Sequence, residues 1–183
     1  KGIASALLGR LVADFSEAGG QALYLCTTNP HAGHLYESHG FRYLVGDGMR
    51  RLAPEAADFD RKYLGHTGAA TTRATTWADL PRAAVLYNHA EPRWFLKDPL
   101  SDSYRDTRYE SHFVKVFRRL EGGRGGSWVL ESPEGRVVGM ATVERRGTHA
   151  DQHTARLSLR AAPAYLGQGS ELIEAAVAGS AAL

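Results

Sequence analysis

Near the start of the chain, Gly2 and Ala4 open a stretch of helical periodicity, and small residues at a helix start are an anion-binding arrangement. They let the backbone approach a group such as a pyrophosphate closely, while the unpaired N–H groups and positive dipole end of the new helix attract its charge. A Gly-x-Ala turn also serves plain helix packing, so its meaning depends on the residues after it. His31, His34 and His39 form a second grouping, the first two about one helical turn apart, a spacing at which imidazoles can share a metal. No carboxylate or cysteine stands at a suitable spacing to complete the set, so these histidines read as solvated or packing residues and no metal is expected. Cys26, the lone cysteine, lies in an apolar run without a nearby histidine, which argues against a nucleophilic thiol.

The elements that must position these groups follow from periodicity. Residues 3 to 18 place Ile3, Leu7, Leu8, Leu11, Val12 and Phe15 three or four apart, an amphipathic helix stopped by Gly19-Gly20. Ala22 to Thr27 is a short apolar strand of the kind buried on both faces. Asn29-Pro30 turns into a short helix from His31 to about His39, stopped by Gly40. Phe41–Val45 and Met49–Leu52, joined by Gly46-Asp47-Gly48, make a hairpin. From Ala53 to Ala70 the chain turns polar, with Phe59, Tyr63 and Leu64 too few to make a core, and reads as a linker.

Beyond it come a strand near Arg73-Ala74-Thr75, a helix opened by the N-cap candidate Asp79 and running to about Asn88, and a proline-bearing loop from Glu91 to Arg105. Tyr109, Phe113, Val116, Phe117 and Leu120 share one face of a longer helix that Gly122-Gly123 ends. Trp128–Glu131 and Arg136–Glu144 form a strand pair through Ser132-Pro133-Glu134-Gly135. A third strand spans His153 to Arg160, with Ala155, Leu157 and Leu159 on one face. The last helix, from about Ser170, carries Leu172, Ile173, Ala176 and Val177 as its apolar stripe.

With 43% hydrophobic and 23% charged residues among 183, the chain has the composition of a folded globular protein. No stretch reaches the roughly 18 to 20 apolar residues that span a bilayer, and the start lacks the blocks of a signal peptide, so no membrane partner and a cytoplasmic location are expected. A net charge of +2 with mixed signs gives no broad basic field, and nucleic acid is not an expected partner. The chain enters a helical pattern at Lys1 and leaves in another at Leu183, as a segment of a longer protein would.

The order of elements and motifs resembles the GNAT superfamily of N-acetyltransferases. In that family a strand leads through a turn reading Gln/Arg-x-x-Gly-x-Gly/Ala into a central helix, and Lys1-Gly2-Ile3-Ala4-Ser5-Ala6-Leu7-Leu8 is similar to the end of that motif and the helix after it. Then Leu23 to Asn29, followed after two residues by Ala32-Gly33-His34-Leu35-Tyr36-Glu37-Ser38-His39-Gly40-Phe41, is similar to the family's strand, Asn turn and Ala-x-x-Leu-Tyr-x-x-x-Gly-Phe sequence. The resemblance implies an α/β (α+β) acyl-CoA N-acyltransferase fold with a mixed central sheet flanked by helices. It implies acetyl-CoA as co-substrate, contacted by Lys1, Gly2, Ile3, Ala4, Ser5, Asn29 and Ala32, and Tyr36 as the general acid that protonates the leaving thiolate. An ordinary phenol, titrating near about 10, is acid enough for that role. Of the carboxylates Glu131, Glu144 and Asp151, placed where this fold often keeps a general base, Glu144 is the nominal choice.

The back segment resembles the opening half of the same fold. Tyr165-Leu166-Gly167-Gln168-Gly169-Ser170 is similar to a second cofactor turn, but Leu166 takes the Arg/Gln place and the turn is two residues short, offering fewer N–H donors to an anion. The organisation expected is thus residues 1–52 as the C-terminal half of one GNAT domain, 53–70 as a linker, and 71–183 as the N-terminal half of a second, degenerate one. A circularly permuted single domain is the alternative. The function implied is transfer of an acetyl group from acetyl-CoA to a small-molecule or peptide amine acceptor by direct attack, the rival being a non-catalytic regulatory or acyl-CoA-binding module. Pairing with a second copy to complete a sheet, as a homodimer, is compatible with either.

Overall fold

The computed structural model describes residues 2–44, 46–65, 67–88, 96–97, 109–146 and 154–181. Lys1, most of the proline-bearing loop, and Asp151 lie outside the described residues. In chain order the elements are α1 (Ile3–Glu17), β1 (Ala22–Cys26), α2 (Pro30–Ser38), β2 (Arg42–Tyr43), β3 (Gly48–Leu52), α3 (Phe59–Leu64), β4 (Thr71–Ala74), α4 (Asp79–Tyr87), β5 (Leu96–Lys97), α5 (Tyr109–Glu121), β6 (Gly125–Glu131), β7 (Val137–Arg146), β8 (Thr154–Ala161) and α6 (Gly169–Ala181). One sheet has three strands in the order β1-β3-β2, the other five in the order β4-β6-β7-β8-β5. Every pairing among the described residues is antiparallel, so the chain is an α+β protein with helices layered on antiparallel sheets.

α1 forms where its periodicity predicts, and Gly19 ends it at φ 72, a conformation glycine adopts without strain. Its packing differs from expectation. None of its residues is buried, and Ile3, Leu7 and Leu11 are 81%, 65% and 51% exposed. The helix is held instead along another arc, where Ser5 Oγ lies 2.9 Å from His39 Nε2 and Gly9 faces the His39 ring. β1 is half-buried throughout rather than buried on both faces, because among the described strands it has β3 on one side and no neighbour on the other. The β2–β3 hairpin matches the expected turn, in the register Arg42↔Arg50 and Tyr43↔Met49.

The stretch 53–70, expected as a linker, is a packed connection. Pro54–Ala56 forms a 3-10 turn and Phe59–Leu64 a helix, with Ala53, Ala56, Phe59, Leu64 and Ala70 buried in the main core. Asp60 accepts from Arg50 on β3, while the Tyr63 hydroxyl donates to the Arg82 carbonyl and accepts from the Val137 amide, so the segment is tied to both sheets. Three apolar side chains are few for a core of their own, but they complete one supplied by the sheet beside them.

In the larger sheet β7 is buried from Val137 to Glu144, covered by α6 on one face and by α4 on the other, as β6 is by α6 and α5. α5 buries Tyr109, Phe113, Val116, Phe117 and Leu120, the face its spacing predicts, each large side chain contributing about 1.5–3 kcal/mol of apolar burial. α6 buries Leu172 and Ala176 but leaves Val177 exposed. Gly179 lets it lie against Trp128, whose ring a Cβ would meet at 2.0 Å. On β8, Leu157 and Leu159 touch the core only partly, Ala161 beyond them is buried, and Ser158 and Arg160 are buried on the opposite face. Hydroxyls of the neighbouring strands make that face polar: Thr75 Oγ1 donates to Ser127 Oγ at 2.9 Å, Ser127 Oγ meets Thr142 Oγ1 at 3.0 Å, and Thr142 stands opposite Ser158 in register. Arg160 donates to the Leu86 carbonyl at 2.8 Å and lies 4.5 Å over the Tyr87 ring.

Asp79 is a further correction. It does not cap α4 from outside but sits at the first helical position, where its buried carboxylate accepts from the Thr76 amide and from Arg73 on β4.

Candidate cofactor cleft

The start of α1 is open. Gly2 precedes it without a side-chain cap, its first turn carries no acid, and the first backbone bond is Ala6 N–H to the Gly2 carbonyl. The amides of Ile3, Ala4 and Ser5 therefore precede the hydrogen-bonded ladder, at the positive end of the helix dipole. Beside them is a cleft of about 500 Å³ lined by Gly2, Ala4 and Ser5 on this side and by His34, Leu35 and Ser38 on α2. α2 is fixed at its start by Asn29, whose side chain accepts from the His31 and Ala32 amides at 3.0 and 3.4 Å, with Pro30 at the first helical position. Gly33 lets the Tyr43 hydroxyl press against the helix, where a Cβ would stand 2.1 Å from it.

Of the residues named from the sequence, Gly2, Ala4 and Ser5 meet in this cleft, and Ile3 is exposed beside it. Asn29 and Ala32 are not among its lining residues; Asn29 spends its side chain on the α2 cap. His34, Leu35 and Ser38 were missed, although their i, i+1, i+4 spacing places them on one arc of α2. Tyr36 lies roughly 150° round the helix from the middle of that arc, and its ring packs edge-on against Phe41 with centroids 5.7 Å apart. The structure does not bring Tyr36 into the cleft with Gly2. Nor does it leave Glu144 unpartnered: buried on β7, that carboxylate accepts from Arg119 Nε at 3.1 Å and from Arg119 Nη2. Glu131 is held by Arg73, whose hydrogen bond keeps its carboxyl below the usual range.

Cys26 ends β1 beside Ser111 and Glu110 of α5; burial, and then the Glu110 charge, push its thiol upward, away from the reactive thiolate. The similar second glycine turn is also absorbed structurally. Residues 163–168 form a 3-10 turn running straight into α6, and the Gln168 amide accepts from the Ala70 N–H and donates to the Gly68 carbonyl. Among the described residues no group of three or more His, Cys, Asp or Glu side chains is gathered for a metal, and no helix is long and apolar enough to cross a membrane.

The chain is similar to several solved acetyltransferase structures. It is similar to a GNAT superfamily phosphinothricin acetyltransferase from Sinorhizobium meliloti in complex with AcCoA, at 21% identity and a TM-score of 0.48 over 63% of this chain and 62% of that one. It is also similar to glucosamine-6-phosphate N-acetyltransferase from Arabidopsis thaliana (12%, TM-score 0.44, 63% and 76%). A third is a GCN5-related N-acetyltransferase from Kribbella flavida (18%, TM-score 0.45, 62% and 66%). The chain thus spans less than two thirds of the length of the first of these structures. No family model and no curated protein matches it.

Proposed function

We propose that this chain is part of a GNAT-type N-acetyltransferase and that the cleft between α1 and α2 takes the anionic arm of acetyl-CoA. The observation that carries the reading is the meeting of three uncapped amides, small residues and an open cleft of about 500 Å³ at one helix start. A Cβ at Gly2 would meet nothing within 4 Å, so the backbone there is open to close approach. The Ala-x-x-Leu-Tyr-x-x-x-Gly-Phe run from Ala32 to Phe41 adds its resemblance to the family sequence.

When bound, acetyl-CoA supplies a thioester activated for attack by an amine. The amides of Ile3, Ala4 and Ser5 bind the anion; Leu35 offers an apolar wall. The acceptor nitrogen forms a bond to the acetyl carbonyl carbon, the carbon–sulfur bond breaks, and its electron pair leaves on sulfur. The proton lost by the amine passes to water, and the Tyr36 phenol, which makes no hydrogen bond among the described residues, gives its own to the sulfur and is reprotonated from solvent. A non-catalytic role suits the back unit better, because Gln168 and the 3-10 turn take up the place of its glycine turn. We assign residues 71–183 to such a degenerate second copy.

Calorimetric titration of the protein with acetyl-CoA, wild type against Gly2→Glu, tests the proposal. One bound equivalent that the variant loses is the expected result. No binding, or binding indifferent to the substitution, overturns it.

A further inference from the structure

The end of α4 and the start of α5 are clamped by their aromatic residues. The rings of Tyr87 and Tyr109 stack with centroids 4.5 Å apart and planes 9° from parallel. One residue beyond each ring, the same register brings Asn88 against Glu110, and Asn88 Nδ2 donates to Glu110 Oε1 at 2.9 Å. Because a carboxylate only accepts, that bond also fixes the orientation of the Asn88 amide.

The contact leaves a residue of unmet demand. Asn88 is 1% exposed, and its Oδ1 finds no hydrogen-bond donor among the described residues; neither does the solvent-shielded Oε2 of Glu110. No Lys, Arg or His pairs with Glu110 among the described residues. Two buried acceptors lie on either side of one hydrogen bond, one of them on a carboxylate that also meets the Cys26 thiol but, among the described residues, no cation. Groups of this kind normally find partners, and the shortfall is of a particular sort: donors, and positive charge. A water molecule supplies donors without charge, whereas a primary ammonium supplies three N–H groups and the missing charge together.

We propose that Asn88 and Glu110 form a seat for a primary ammonium group, with Asn88 Oδ1 and Glu110 Oε2 as its two acceptors. The seat adjoins the front unit, because Glu110 also lies beside Cys26, three residues before Asn29 opens the α2 wall of the cleft. Identifying the seated ammonium with the acceptor amine of the acetyl transfer rests on the proposed transferase function; the seat itself does not.

The test is a titration of the isotopically labelled chain with n-propylammonium chloride at constant ionic strength, following the side-chain amide signals of Asn88. The expected result is a saturable shift of those signals, weakened at least tenfold in affinity by Glu110→Gln and absent with tetramethylammonium chloride, which has charge but no N–H donors. Asn88→Leu, read through the Glu110 backbone signal, gives a second and independent loss. A shift that never saturates, or that survives unchanged in both variants or with tetramethylammonium, overturns the seat and leaves a water-filled site. Neither reading requires acetyl-CoA: ammonium binding without cofactor binding keeps the seat and sinks the transferase, and the converse result does the reverse.

Discussion

The Arg73 guanidinium meets the buried Asp79 carboxylate through two hydrogen bonds of 2.8 and 2.7 Å, while its Nε reaches Glu131 at 2.5 Å. One cation on β4 thereby joins the first turn of α4 to β6. Asp79 is 0% exposed, so removing Arg73 leaves a buried carboxylate with Arg82 as its nearest cation, 3.9 Å away. Arg73→Met is expected to cost about 3 kcal/mol in urea unfolding, and Asp79→Asn combined with it should recover part of that loss.

The same network sets an acid limit on stability. Burial alone would raise the Asp79 carboxyl, but the hydrogen bonds from Arg73 and the Thr76 amide outweigh it and hold the group below its ordinary value; Glu131 is held low by Arg73. Carboxyls depressed in the folded state contribute stability that is complete above the unfolded value, roughly pH 4, and lost as pH falls through the lower folded value. Melting temperature should accordingly be flat in this contribution from about pH 5 to 7 and drop below about pH 4. Asp79→Asn should show a shallower acid slope.

Tyr36→Phe separates chemistry from binding in the proposed transferase. Turnover should fall by about 100-fold or more, with acetyl-CoA affinity unchanged, since Tyr36 lies off the cleft-lining arc of α2. Unaltered turnover in a steady-state assay with a chromogenic thiol reagent removes Tyr36 as proton donor and leaves solvent in that role.

Gly125 begins β6 at φ 142, and a Cβ there would stand 1.9 Å from the Val143 carbonyl oxygen. Gly125→Ala combines a disfavoured backbone with a collision against backbone that cannot swing aside. A loss of about 1–3 kcal/mol is expected from the strain alone, measurable as a lower urea midpoint with unchanged slope. Gly2→Ala, where the same atom meets open space, should leave the midpoint where it is.

Periodicity made the helices legible. The five aromatic and aliphatic residues of α5 recur at helical spacing, and all five are buried. The start of the cleft was legible too, since Gly2, Ala4 and Ser5 carry their meaning in size and position. The features that stayed hidden depend on which surfaces pack together. α1 has the same amphipathic pattern as α5 yet buries nothing, because a pattern states which face is apolar and not whether a partner covers it. On β8 the apolar alternation pointed to Leu157 and Leu159, whereas Ser158 and Arg160 lie deeper, because hydroxyls across neighbouring strands and the Leu86 carbonyl satisfy that side. Asn88 and Glu110, 22 residues apart, meet only through the stacking of their neighbours.

The connection between residues 53 and 70 has a consequence for anyone dissecting the chain. Phe59 and Leu64 belong to the core of the larger sheet, and Tyr63 caps the Val137 amide, so a fragment beginning at Thr71 loses the lid of its own interior. A cut just after Leu52 severs fewer of these contacts, though it frees Asp60 from Arg50 and removes Ala22, Tyr24 and Leu52 from the core they pack against. The polar stretch that looks like a seam is thereby the poorer of the two places to cut.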